Sequence, residues 1–143
     1  MNCRGWRRLL VAVAILAGTV PLCAQNKDKP TESAHVRGPD GLVGWTLESP
    51  VPDSGYGDER FAFTLVIARA GRIVRRIDGD PMIWRWIYWD DGRRVAYETG
   101  PFHFGMMCVL VDVKTGRRVG SVDCYHELPD NAPAWVGALE ATK

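Results

Sequence analysis

Residues 83–124 read IWRWIYWDDGRRVAYETGPFHFGMMCVLVDVKTGRRVGSVDC, and the fold turns on this stretch. Runs rich in β-branched and aromatic residues, at 83–89, 93–98, 104–113 and 117–124, are separated by turn signals such as Asp90-Asp91-Gly92 and Lys114-Thr115-Gly116. That punctuation describes a four-stranded antiparallel meander. Moving outward, residues 42–48, 61–69 and 72–78 have the same character, and SPVPDSGYGDER (49–60) is a loop whose Pro and Gly content forbids regular structure. No later segment carries a helical period. From Glu127 the chain is broken by proline and ends in an apolar patch around Trp135, Val136 and Leu139. The expectation is an all-β domain over residues 41–143: an antiparallel meander of six to seven strands, forming one twisted sheet that curls or packs on itself.

The beginning of the chain speaks of address. Arg4, Arg7 and Arg8 precede an apolar run over 9–22, and Ala24 offers a small residue for cleavage before Gln25. This is the layout of a secretory signal peptide over residues 1–24, its apolar run too short to span a bilayer comfortably. Cys23 stands where a lipid-anchored cysteine would, but Leu22 before it is bulky. Trp6 likewise spoils a twin-arginine signal at Arg7-Arg8. The mature protein is expected in the periplasm or outside the cell, with a retained anchor as the alternative. Residues 25–40, QNKDKPTESAHVRGPD, read as a disordered polar tether.

Losing the three leader arginines leaves fifteen Lys and Arg against seventeen Asp and Glu, a net charge of −2. That balance gives no electrostatic footprint for nucleic acid. Two of the four cysteines, Cys3 and Cys23, belong to the leader, leaving Cys108 and Cys124 as a single disulfide in an oxidising space. Register supports the pairing. If Gly116 supplies the positive φ of a three-residue turn and Val113 faces Arg117, then Cys108 faces Val122, and Cys124 lies one diagonal step away on the same face. A single bulge would bring the two cysteines directly opposite.

An internal repeat strengthens the blade-like reading. Residues 65–78 (LVIARAGRIVRRID) and 110–123 (LVDVKTGRRVGSVD) match at six of fourteen positions at an offset of 45 residues, the spacing of β-propeller blades. Residues 83–124 resemble one blade of the WD40-like, TolB-type propeller repeats of bacterial exported proteins. The resemblance rests on Trp89-Asp90-Asp91-Gly92-Arg93-Arg94-Val95-Ala96-Tyr97 and Val111-Asp112-Val113-Lys114-Thr115-Gly116, with 61–78 as the end of a preceding blade. It covers about 60 of the 119 residues after the leader, or one and a half blades, where propellers close with about four or more. It implies a subunit of an oligomeric ring or a remnant folded as a small open sheet; an unrelated sandwich fits the strand count as well.

Candidate ligand chemistry is sparse. Alternation along 83–89 puts Trp84, Trp86 and Tyr88 on one face and Ile83, Arg85, Ile87 and Trp89 on the other. Three rings on one face make either a stacking platform for a glycan or part of the core. Apolar residues on both faces suggest a central, largely covered strand, and Phe102, Phe104 and Met106 read the same way. His103, Cys108, Cys124 and His126 match no familiar zinc spacing, so no metal or cofactor is expected. No thiol is marked as an activated nucleophile. Asp78-Gly79-Asp80 and Asp90-Asp91-Gly92 lack the continuation of a calcium loop and read as turns. Asp53, Asp58 and Glu59 read as parts of a solvated loop. No catalytic residue is expected. The functional expectation is an exported interaction module that binds a protein partner or self-associates through an open sheet edge or loop face. A carbohydrate- or cell-wall-binding module using the aromatic strand is the alternative.

Overall fold

A computed structural model describes residues 29–51, 55, 58–101 and 105–142; the leader and residues 25–28 lie outside them. Two antiparallel sheets stack face to face, and a short helix covers the far side of the second. In the first sheet, β1 (Thr31–Glu32) and β2 (Val36–Arg37) both pair with β3 (Leu42–Pro50), which pairs with β4 (Arg60–Arg69) and through it β5 (Arg72–Asp78). The second sheet runs in chain order through β6 (Ile83–Trp89), β7 (Arg94–Thr99), β8 (Met107–Asp112) and β9 (Arg118–Asp123), followed by α1 (Ala134–Glu140). The expected meander over 83–124 is this second sheet. The all-β class holds, but the single twisted sheet expected from the sequence is corrected: the strands form two separate sheets in an open sandwich, with no closed barrel among the described residues.

Alternation explains the stacking. On β7 and β8, Val95, Tyr97, Val109 and Val111 point toward the first sheet, where they meet Leu42, Leu65, Ile67 and Ile77 in the main core. The intervening Ala96, Cys108 and Leu110 point the other way and are covered by Trp135, Val136 and Leu139 of α1. The two central strands of the second sheet, β7 and β8, are therefore apolar on both faces and buried on both. Antiparallel sheets more often keep one face wet, and here a helix takes the place of water. The helix was missed in the sequence because seven residues make barely two turns, too few to display a period.

Two further expectations are corrected. Residues 29–40 are not simply a polar tether: β1 and β2 hydrogen-bond along the free edge of β3. Thr46 N–H donates to Ser33 Oγ (2.9 Å), and Ser33 N–H donates to the Thr46 carbonyl (2.9 Å). His35 stacks on Trp45 with ring centroids 4.4 Å apart. The strap places no residue in the core, so hydropathy could not reveal it. Secondly, β6 is an edge strand and not a central one; both its faces carry apolar residues because the sheet has a layer on either side.

The turns behave as their residues dictate. Ala70-Gly71, with φ of 48° and 75°, forms the two-residue primed turn of the β4–β5 hairpin. Gly116 (φ 74°) closes the β8–β9 turn, its N–H donating to the Asp112 carbonyl at 2.8 Å. Val113 does not face Arg117 as expected: Asp112 N–H donates to the Arg117 carbonyl (3.0 Å) and Val111 pairs with Arg118, and the bulge that follows restores the expected pairing of Cys108 with Val122. Cys124 is one diagonal step on, with a Cα–Cα separation of 5.8 Å and the two sulfurs at bonding distance. No bulge lies between the cysteine pair; the hairpin's single bulge is nearer the turn, at Val119.

Two glycines make opposite predictions. A Cβ on Gly44 would lie 2.4 Å from Trp86 Cη2 and 2.8 Å from the Tyr88 hydroxyl. Gly44→Ala is predicted to cost about 1–3 kcal/mol through overpacking. Gly137, mid-helix with nothing within 4 Å of its Cβ position, is predicted to gain roughly 0.5–1 kcal/mol on Gly137→Ala from helix propensity. Urea denaturation of the two variants checks both signs.

Candidate binding site

The aromatic strand divides its rings. Trp86 and Tyr88 face the first sheet and pack against the main core, in space left by Gly44 and by Gly38, where a Cβ would sit 2.4 Å from Tyr88 Cε2. Trp84 does not share their face. Ile83 pairs with Thr99 and Arg85 with Glu98, so Trp84 is the extra residue of a β-bulge. Its indole N–H donates to the Gly100 carbonyl at 2.9 Å, and the side chain is 37% exposed. The expected row of three rings on one face is thus broken by a bulge that alternation alone cannot foresee.

Trp84 belongs to a pattern. Besides the β1–β2 strap, the edges of the two sheets are β5, β6 and β9, and each of these three carries one bulge: at Val74, Trp84 and Val119. These bulged residues are among the most exposed large apolar side chains, at 41%, 37% and 49%. A bulge interrupts the ladder a new strand would need and twists the edge away. It also lifts an apolar side chain out of the sheet.

Val74 borders a cavity. At the end of the sandwich where the β2–β3, β4–β5, β6–β7 and β8–β9 turns converge, a cleft of about 510 Å³ opens between the sheets. Leu42, Val74 and Val113 supply its apolar lining, and charges of both signs ring it: Arg69, Arg93 and Lys114 with Asp40, Asp91 and Asp112. The walls are fixed. Arg75 crosses from β5 and donates from Nε to the Val113 carbonyl (2.9 Å) and from Nη2 to the Lys114 carbonyl. Val113 N–H donates to the Arg93 carbonyl at 2.9 Å. Asp112 Oδ1 accepts from the Thr115 N–H and hydroxyl, both at 2.7 Å, and these bonds hold its carboxyl below the usual range. Arg93 is partnered by Asp90 at 2.6 Å. Arg69 and Lys114 have no side-chain partner among the described residues.

A smaller cavity of about 210 Å³ lies elsewhere, lined by Asp80, Thr99, Met106, Arg118 and Asp123 among others. Thr99 closes it internally, its hydroxyl donating to the Met82 carbonyl and accepting from the Asp80 N–H, both at 2.7 Å.

Under α1 lies a charged cluster that the sequence did not disclose. Glu98, 5% exposed, accepts from Arg85 Nε. Arg85 Nη2 also donates to Glu140 Oε1 at 3.2 Å, and Nη1 to the Glu140 carbonyl at 3.4 Å, so one guanidinium ties β6, β7 and the end of the helix together. Hydrogen bonding to Glu98 pushes the Arg85 pKa further up. Glu98 sits directly opposite Cys108 in the β7–β8 register. A polar residue on the inward phase of an otherwise apolar strand was the available signal for Glu98; nothing linear points to Glu140.

The remaining candidates are plain. His103, Phe102, Phe104 and Asp53 lie outside the described residues. His126 is exposed and turns to Asp123 (3.4 Å), while Asp58 and Glu59 are exposed. Asp90 and Asp91 occupy positive-φ turn positions (55° and 52°). Among the described residues no helix is long and apolar enough to cross a membrane. Comparison with protein-family models, with curated proteins and with solved structures found no match to this chain.

Two predictions follow from the buried polar groups. The Tyr88 hydroxyl is buried without a partner among the described residues, and desolvation pushes its pKa up to about 12 from the ordinary value of about 10. A folded-state pKa above the unfolded one contributes stability that is complete below about pH 10 and lost as pH rises toward 12. Alkaline unfolding should show this loss in the native chain, and Tyr88→Phe should reduce it; denaturant midpoints against pH measure the difference. Glu98→Gln leaves Arg85 without its closest anion and is predicted to cost about 3 kcal/mol, while Arg85→Met with Glu98→Leu recovers much of that loss. Thermal and urea unfolding of the single and double variants check the pair.

Proposed function

We propose that this chain is an exported, non-catalytic interaction module that binds a protein partner, or a second copy of itself, at the cleft between the sheet ends. Export is supported by the arginines and apolar run of residues 1–24 and by a cysteine pair at bonding distance. The observation that carries the binding reading is the cleft's make-up: an apolar lining from Leu42, Val74 and Val113, rimmed by three cations and three carboxylates. Small concave sites with an apolar floor and a few polar groups at the rim suit one anchoring side chain of a partner, with flanking charges setting its orientation. Val74 is exposed at this site although it is apolar, and Arg69 and Lys114 have no side-chain partner among the described residues. Strand addition at β5, β6 or β9 is the weaker mode, because each of those edges is bulged. A glycan platform across Trp84, Trp86 and Tyr88 has no comparable support, since Trp86 and Tyr88 pack into the core.

Peptides selected by display against the native protein provide the test. Val74→Asp and Arg69→Glu are expected to weaken the selected peptides by about 10- to 100-fold, as for loss of an interface anchor, while unfolding midpoints stay near native because both residues lie at the surface. Any concentration-dependent mass seen by light scattering should fall in the same variants. Equal peptide affinity in native and Val74→Asp protein, with unchanged mass, would overturn the cleft as the binding site.

A further inference from the structure

We infer that Cys108, Cys124 and Glu140 form a divalent-metal site when the disulfide is reduced, so that an S–S bond and a thiolate-binding cation such as Zn²⁺ are alternative staples at the same place. The Sγ atoms of the two cysteines and a carboxylate oxygen of Glu140 all lie within 4.8 Å of one another. Zinc bonds of about 2.3 Å to sulfur and 2.0–2.2 Å to oxygen set ligand atoms roughly 3.5 Å apart; the two sulfurs, at bonding distance in the disulfide, take up that spacing only once reduction parts them. Cys108 is fully buried beneath α1, whereas Cys124 and Glu140 are partly exposed. The site thus has one buried and two partly exposed ligands, and a three-ligand set leaves the fourth tetrahedral position to water.

Electrostatics gives the reason for a cation. Reduction by a dithiol transfers two electrons to the disulfide, yields two thiols and leaves the reductant as its own disulfide. Ionising those thiols beside Glu140 would gather three negative charges against Arg85, which Glu98 already shares. A dication that displaces the two thiol protons to solvent removes that conflict, and thiolate ligands select zinc-like ions over magnesium or calcium. Arg85 keeps Glu140 oriented through one carboxylate oxygen and the main-chain carbonyl, the kind of outer contact that positions a ligand. This site differs from a His103, Cys108, Cys124 and His126 set: the third ligand is a carboxylate sixteen residues beyond the second cysteine. It is independent of the cleft and of what binds there.

The test is Co²⁺ titration of the purified protein after reduction and anaerobic desalting, followed by absorbance. One equivalent should bind with the sulfur-to-cobalt charge-transfer band and visible bands of a tetrahedral two-thiolate site. Zn²⁺ should displace it, and the oxidised protein should show neither signal. Cys124→Ser should abolish the two-thiolate spectrum. Glu140→Gln should weaken binding by at least about tenfold, and Glu140→His, which keeps a ligand atom, should restore it. Circular dichroism run in parallel reports whether the reduced chain is folded before metal is added; if it is not, bound metal should return the strand signal. Absence of the charge-transfer band in the reduced chain, folded or unfolded, overturns the site. Equal affinity in Glu140→Gln and native protein overturns the role of Glu140.

Discussion

Everything in this molecule depends on the two central strands of the second sheet being apolar on both faces. Val95, Tyr97, Val109 and Val111 require a cover on one side, and Ala96, Cys108 and Leu110 require one on the other. Neither cover is stable alone: an isolated first sheet would expose Leu65 and Ile67, and a seven-residue helix is too short to persist in water. Each layer therefore exists because the central one must be kept from solvent. The disulfide and the Arg85 clamp act at the weaker of the two contacts. Closing a loop of about fifteen residues is worth roughly 3 kcal/mol in the chain-entropy model, and that constraint falls in the hairpin that carries the helix onto the sheet.

The close approach of the sheets at Gly44 follows from the same demand. Trp86 and Tyr88 fit only because β3 offers no side chain there. Bulges handle the perimeter. A sandwich with open edges risks adding strands from its neighbours, and the residue inserted at Val74, Trp84 and Val119 breaks the regular ladder on β5, β6 and β9 in turn. The same insertions leave apolar side chains in water. At β5 that residue meets Leu42 and Val113 and becomes part of a cleft, so edge protection and the candidate site share one irregularity.

Much of this was legible. The seven longer strands were placed to within about three residues at each end, because β-branched runs and Gly- or Asp-bearing turns are local signals. The Cys108–Val122 pairing counted from Gly116 came out right only because the bulge at Val119 offsets a turn that pairs Asp112, not Val113, with Arg117. What escaped was non-local or irregular. The strap of β1 and β2 is polar and pairs only through its backbone, and α1 is helical because its three apolar residues find a sheet to cover. Alternation failed at Trp84, where one inserted residue changes which side chains share a face. The repeat at an offset of 45 is real in sequence but is not kept in pairing: Leu65 faces Ile77, whereas its counterpart Leu110 faces Gly120 and not Val122. The cleft was the least legible feature, since it draws on four turns spread from Asp40 to Lys114.

The strap has a consequence for the life of the molecule. Unlike β5, β6 and β9, the outer edge of β3 is guarded by a borrowed length of chain and not by a bulge of its own. That guard is exposed at every paired residue and precedes the whole of the packed sandwich. Trimming the chain through Arg37 would leave both cores whole while uncovering the Thr46 N–H and carbonyl that now bond Ser33. A cut beyond Arg37 would thereby turn a shielded particle into one with an adhesive flank.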